Sequence, residues 1–162
     1  MSPQKMLRNA FGNFATGVAI IGVHTPDAKA VGLTINSFAS VSLEPPLLSW
    51  CLDNNSQLFS DIMAAERFTV NILAADQQAL SDRMARPGDH GFADDEWFKS
   101  QSGAPFVVGA LAQFDCHIHD TVVAGDHVMF IGAIDEVQAC TSERAALTYF
   151  RGAYTKHDGD AI

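Results

Sequence analysis

Positive charge is scarce in this chain. Ten Lys and Arg stand against nineteen Asp and Glu, a formal net charge of -9 at pH 7, the wrong sign for a surface that grips phosphate backbones by releasing counterions. No nucleic acid partner is expected. The arginines Arg8, Arg83, Arg86 and Arg151 stand singly rather than in runs, which still allows one phosphorylated small molecule, since that needs only a few local donors. Cysteine is sparse as well: Cys51, Cys116 and Cys140 are widely spaced and odd in number, a pattern that argues against a disulfide framework and fits a reducing compartment. No apolar run approaches the ~20 residues of a membrane span, and Met1 to Lys5 lacks the charged-then-apolar order of a leader. A cytoplasmic protein with no membrane contact is expected.

Several motifs are missing too. No Gly-x-Gly-x-x-Gly follows a strand and no Gly-x-x-x-x-Gly-Lys-Ser/Thr occurs, so any nucleotide is held in another way. Ser37, Ser40 and Ser42 are not set in a nucleophile elbow, and scattered Ser, His and Asp do not make a triad. His117 and His119 share a strand face with His127 across a turn, a spacing that a metal could use, but polar residues alternating on a solvent-facing strand need no ligand. No metal is expected. There is also no linker, repeat or low-complexity segment, and 162 residues with 48% hydrophobic and 18% charged side chains fit a single domain over residues 1–162 with one core.

What is present reads as short strands separated by shorter helices. Ser2 and Pro3 open a helix on which Leu7, Ala10, Phe11 and Phe14 recur along one face, and Gly12 weakens it, so packing must hold it. Strands are expected at 18–23, 30–35, 47–52, 67–73, from 111 onward, and at 127–137. Helices are expected near 58–63, with Ser56 as cap, and at 76–84. The 127–137 strand is apolar on both faces from Val128 to Ile134, which implies a covering helix or second subunit outside it. Residues 87–97 read as a loop and Thr155 to Ile162 as a polar tail. Many links are of hairpin length, which excludes a simple alternating βα sheet and points to an antiparallel barrel of mixed content.

One stretch organises the rest: Gly32 to Pro46 begins as a strand and then turns polar. From Asn36 to Ser42, hydroxyl and amide side chains alternate with Phe38 and Val41, and Pro45-Pro46 opposes both helix and sheet. Backbone groups leaving a strand must be paired or solvated, so such a segment is either an open loop or the wrapping of a polar ligand.

Thr34-x-Asn36-Ser37-Phe38 followed by Ser40-Val41-Ser42-Leu43-x-Pro45-Pro46 resembles the flavin-cradling segment of the short-chain flavin reductases, the reductase components of two-component flavin-dependent monooxygenases. The resemblance continues through Phe14-Ala15-Thr16-Gly17-Val18, Phe68-x-Val70-Asn71-Ile72-Leu73, Leu80-Ser81-x-Arg83, Gly125-Asp126-His127 and Tyr149-Phe150-Arg151-Gly152-x-Tyr154. It implies a mainly β fold with short helices, the FMN-binding split β-barrel, a Greek-key antiparallel barrel that forms a homodimer. It implies hydride transfer from NADH to FMN or FAD, with reduced flavin passing to a separate oxygenase component. Flavin contacts are then expected at Thr34, Asn36, Ser37, Phe38, Ser40, Ser42, Asp53, Asn54, Ser56 and Arg83. NADH contacts are expected at Gly125, Asp126, His127, Tyr149, Arg151 and Tyr154. No side chain need act as acid or base, because the cofactor carries the chemistry and the protein positions it. Two residues depart from the family pattern: Ala153 stands where many relatives have arginine, which bears on phosphate contacts, and Ile35 replaces a smaller residue. The alternative within the same fold is an electron-transfer protein that holds FMN tightly and lacks a rapid nicotinamide step.

Overall fold

The computed structural model describes residues 1–140 and 143–161. Helix α1 (Pro3–Phe11) begins where expected, with the Ser2 hydroxyl accepting the Lys5 N–H. Strands β1 (Thr16–Gly17), β2 (Ala19–His24), β3 (Ala30–Ile35), β4 (Ala39–Leu43) and β5 (Pro46–Asp53) follow, then α2 (Phe59–Ala64) and β6 (Arg67–Ile72). A 3-10 turn (Ala75–Gln77) leads into α3 (Gln78–Ala85). Next come β7 (Trp97–Lys99), β8 (Pro105–Val107), β9 (Ala112–Ala124), β10 (His127–Ala139), β11 (Ala146–Phe150) and β12 (Ala153–His157).

Seven of these strands form one antiparallel sheet in the order β3-β2-β6-β9-β10-β5-β4. Its two edges, β3 and β4, are consecutive in the chain and separated only by residues 36–38. The four steps from Ile35 to Ala39 reach at most roughly 14 Å, whereas seven strands laid flat put the edges about 29 Å apart. The sheet must therefore curl until its edges approach. Among the described residues no ladder joins β3 to β4, so the barrel is curled but unclosed, the expected split form.

The inside of the curl is filled by aromatic rings. Trp50 stacks on Phe130 with centroids 4.8 Å apart, and Phe68 meets both edge-on. Gly132 makes this packing possible, since a Cβ there would lie 2.5 Å from Phe68 Cζ. On β2, Ala19, Ile21 and Val23 join this core while Ile20, with Val18 just before the strand, faces a second cluster with Leu73, Met84, Val107 and Leu147. That strand is covered on both faces, as its apolar run implies. β10 is not: Val128, Phe130 and Gly132 are buried, but Met129, Ile131 and Ala133 are only half-buried in one chain. The apolar face of α1 is likewise uncovered, with no buried residue.

Several expectations fail. Ser40 to Ser42 lie in β4 rather than a loop, and Pro46 starts β5 opposite Leu43 beside a cis Glu44-Pro45 peptide. A proline at the first position of a strand forfeits no interior ladder bond. Thr155 to His157 belong to β12, because Arg151 and Gly152 adopt positive φ (51° and 80°) and turn the chain back along β11. α2 starts after Leu58 rather than at Ser56, whose hydroxyl only accepts the Leu58 N–H. No helix among the described residues is long and apolar enough to cross a membrane. From His119 to Ala124 the outer edge of β9 runs past the end of β6 and has no ladder partner on that side among the described residues.

Asp115 is the sharpest departure. The alternation of β9 puts it on the solvent face, yet it is 1% exposed. It accepts hydrogen bonds from Ser100 Oγ at 2.6 Å, from Ser102 Oγ, and from Arg67 at 3.1 Å. Arg67 also reaches Asp135 at 2.7 Å, and His117 donates to Asp135 at 2.9 Å. Burial pushes the Asp135 carboxyl up, but the hydrogen bonds from His117 and Arg67 outweigh it and hold the group below its ordinary range. The resulting stabilisation is present above the unfolded value of about 3.9 and is lost as pH falls through the lower folded one.

Asp115→Ala strips both serine hydroxyls of a buried acceptor while Arg67 keeps Asp135, so a loss of about 2–4 kcal/mol is expected. A urea titration should show a lower midpoint at unchanged slope. A shift worth less than about 0.5 kcal/mol would mean that water replaces the carboxylate.

Candidate functional site

The three linking residues span the split and are themselves closely placed. Phe38 turns inward against Phe114, rings stacked at 6.1 Å, while Asn36 and Ser37 remain exposed. Ser37 Oγ accepts the Cys51 N–H at 2.9 Å and lies 3.4 Å from the Cys51 carbonyl. A side chain thus continues the β4–β5 ladder beyond its Ala39–Ser49 pair. The Asn36 amide has no partner among the described residues and is free to meet a ligand.

Three clefts converge on this linker. One of about 530 Å³ runs between β3, the residues after β5 and the segment after α3; Thr34, Asn36, Ser37, Asp53, Ser56 and His127 line it. A larger one of about 990 Å³ lies under the end of α1, where Arg8, Asn13 and Phe14 face Tyr149, Arg151, Asn36 and Ser37. A third of about 430 Å³ joins Thr34, Asn36, Tyr149 and Tyr154. Asn36 borders all three. Phe38 sits behind the linker in a smaller hollow with Phe14 and Thr16.

Other expected residues act on the scaffold instead. Asn54 donates its backbone N–H to Asp126 O at 3.0 Å and its side-chain N–H to Gly125 O at 3.5 Å, locking the two turns together. The lock holds His127 in register with Asp53. Arg83 ends α3, but its guanidinium donates to Gly91 O at 2.8 Å and pairs with Glu96, so it fastens the following loop. Ser40 and Ser42 lie along β4, outside all of these clefts. Thr34 and Tyr154 share an anchor in buried Ser81: Thr34 Oγ1 donates to its carbonyl at 2.7 Å, and Tyr154 OH meets its hydroxyl at 2.7 Å.

His127 Nδ1 lies 2.7 Å from Asp126 Oδ1. This hydrogen bond, reinforced by charge, holds the Asp126 carboxyl below its ordinary range. Because an ionised carboxylate only accepts, Nδ1 carries the proton in either form of the ring, and Nε2 is an acceptor in the neutral ring and a donor in the protonated one. His117 stands at the other end of the hairpin, opposite Ala133, whereas His127 is opposite Ala124. The histidines do not assemble, and no metal-holding group of three or more His, Cys, Asp or Glu occurs among the described residues.

Cys51, Asn55, Gln57, Pro87 and His90 also line the 530 Å³ cleft, and Asn9 the larger one. None was expected there. Only the Pro87-Gly88 turn directly after the Arg83 helix hinted that this loop returns to the site.

Residues 11–158 match the model of the flavin reductase like domain. The chain is 41% identical over 150 residues to the reductase subunit of stachydrine N-demethylase from Rhizobium meliloti, covering 93% of this chain and 64% of that protein. It is 37% identical over 150 residues to an FMN reductase (NADH) from Agrobacterium fabrum, covering 93% and 84%. Among solved structures, the Streptomyces globisporus NADH:FAD oxidoreductase in complex with NAD and FAD fragments superposes with a TM-score of 0.90 at 30% identity, over 99% of this chain and 96% of that one. The chain spans only 47% to 64% of the length of three of its curated relatives.

The Ser81 anchor makes its own prediction. Tyr154→Phe leaves the Ser81 hydroxyl short of a partner and should cost about 1–2 kcal/mol of stability, read as a lower denaturation midpoint. An unchanged midpoint would mean that the hydroxyl pair contributes nothing net.

Proposed function

The chain belongs to the flavin reductase like family, and from that premise we propose that it transfers hydride from NADH to FMN or FAD and releases the reduced flavin to a separate oxygenase component. The observation that carries this reading is the shared border: Asn36 and Ser37 line both the 530 and the 990 Å³ clefts. Hydride transfer needs two ligands in near van der Waals contact, and two ligands seated in adjoining clefts meet at that linker.

The residues fit a flavin. Both cleft volumes fall in the ~300–1,000 Å³ range of small-molecule sites, and the linker offers an unpartnered amide and a hydroxyl without a charged base. When bound, the flavin supplies the ring that accepts the hydride. Asn36 and Ser37 then meet its polar edge, and Thr34 and Phe38 support them from behind. Asp53 and Ser56 border the ribityl and phosphate end, with Asn54 fixing their turn. Ser40 and Ser42 along β4, and Arg83 through the loop it fastens, act by position. On the nicotinamide side Tyr149 and Arg151 form the wall opposite α1, with Tyr154 packed edge-on to Tyr149 at 5.4 Å. His127, set by Gly125 and Asp126, lines the flavin cleft rather than the Tyr149–Arg151 wall, so it meets a carboxamide where the nicotinamide reaches over the flavin into that cleft, Nε2 of the neutral ring then accepting the amide N–H. No residue moves a proton in the hydride step.

We take residues 1–162 as one domain and the working unit as a homodimer. Leu7 and Phe11 on α1 and Phe14 just beyond it are 54%, 69% and 78% exposed, and the half-buried face of β10 adds to an apolar surface that a second subunit can cover.

The purified protein should be nearly colourless and oxidise NADH only when FMN or FAD is added; a yellow protein indifferent to NADH supports the electron-transfer alternative. Replacing Asn36 and Ser37 together with Ala should weaken flavin binding by roughly 1–3 kcal/mol with the fold intact, and unchanged affinity returns the linker to a purely structural role. His127→Ala is expected to raise the Michaelis constant for NADH while flavin affinity stays near wild type; a loss confined to flavin binding would sink that assignment. Light scattering should give twice the chain mass at micromolar concentration, and a monomer there counts against the dimer.

A further inference from the structure

The 530 Å³ cleft has two facing walls, one from residues 53–57 and one from residues 85–90. Among the described residues, the hydrogen bonds between these walls come from one pair. Gln57 Nε2 donates to the Gly88 carbonyl at 2.8 Å, and Gln57 Oε1 accepts the Gly88 N–H at 3.0 Å. The side-chain amide copies a backbone partner and holds Gly88 at both of its polar groups.

The second wall is anchored at its ends, and between them it is held by exposed contacts: Arg86 pairs with Asp82 at 3.5 Å, Asp89 with Lys29 at 3.4 Å, and Gln57 clasps Gly88. At one end α3 is held through Ser81. At the other, His90 is buried against β3: its carbonyl accepts the Gly32 N–H at 2.9 Å and its Nδ1 meets the Gly32 carbonyl at 2.9 Å. Arg86 to Asp89 are exposed between these anchors. Gly88 has φ 140°, a conformation that other residues rarely adopt, and a Cβ there would touch nothing within 4 Å. The tip is thus short, anchored on both sides and unpacked. The clasp on it is neutral and open to water, so its two bonds have a modest net worth and can open without unfolding the wall.

We propose that the Gln57–Gly88 clasp is a latch across the flavin cleft, opening to let flavin pass in and out, and that Gln57 is a positioning residue for this exchange. The inference rests on the reading that flavin occupies this cleft. A latch slows passage in both directions without preferring the bound or the free state, so it sets rates and leaves affinity nearly alone. A ligand contact does the opposite, changing dissociation and affinity together.

The experiment is stopped-flow binding of FMN, and of FAD, to wild type, Gln57→Ala and Gln57→Glu, followed by flavin fluorescence. Gln57→Glu keeps the shape, but its carboxylate has no proton to give the Gly88 carbonyl. In Gln57→Ala, which removes both bonds, association and dissociation rate constants should rise together by roughly 5- to 100-fold, the worth of two exposed hydrogen bonds, with less than about threefold change in Kd; Gln57→Glu, which still accepts the Gly88 N–H, should show a smaller rise in both. Hydrogen exchange at the Gly88 amide, measured without flavin, should quicken in Gln57→Ala and shows that the clasp has opened. Faster dissociation alone, with a matching rise in Kd, makes Gln57 a ligand contact and overturns the latch. Unchanged rates alongside a faster-exchanging Gly88 amide overturn it too. Wild-type protein that binds neither FMN nor FAD overturns instead the reading beneath it, and the wild-type binding curves tell the two failures apart.

Discussion

The structure depends on a length. Three residues join the two edges of a seven-stranded sheet, and everything inside follows from the curl they impose. A tighter curl would leave no room for the Trp50, Phe68 and Phe130 rings, and a looser one would exceed the reach of the linker. Gly132 shows how narrow the margin is, because Phe68 occupies the volume its side chain would need. The same linker cannot pair as a strand, so its polar groups stay at the gap, where three clefts meet. The curl that wraps the core also creates the site.

Much of this was legible in the chain. β3 was readable residue for residue, since Ala30 to Ile35 is β-prone and bounded by the Pro26-Asp27 turn. β4 was not, because Ser and Ala have little strand preference of their own, and the ladder to β5 makes this segment a strand. β12 was hidden by its polarity, although the Arg151-Gly152 turn before it was in plain view. Asp115 was misplaced for a more general reason. Alternation reports which residues share a face but not what lies over it, and here Ser100 and Ser102 arrive from a distant loop.

The site was legible to a different degree. Family-like motifs located Asn36, Ser37, Asp53, Ser56 and His127, which the fold gathers around one cleft. They did not separate residues that face the cleft from those that hold it in shape. Asn54 and Arg83 carry expected positions, yet their hydrogen bonds run to Asp126 and Gly91, while Thr34 both lines the cleft and is tied to Ser81. Conversely, Gln57 and His90 border the cleft without belonging to any recognisable pattern. Their approach is a product of the tertiary fold, and nothing in local periodicity encodes it.

The overhang of β9 has a colloidal consequence. From His119 to Ala124 the outer edge has no ladder partner among the described residues over roughly 20 Å, six residues at ~3.4 Å each, about the length of an ordinary strand. Apart from the Thr121 N–H, taken by Asp120 Oδ1 at 2.8 Å, its outward backbone groups form a template for another chain, and Val123 beside them is 81% exposed. Asp120 is the acidic residue on this edge that discourages such pairing by like-charge repulsion. Solubility at high concentration therefore turns less on the total charge of -9 than on where one carboxylate stands.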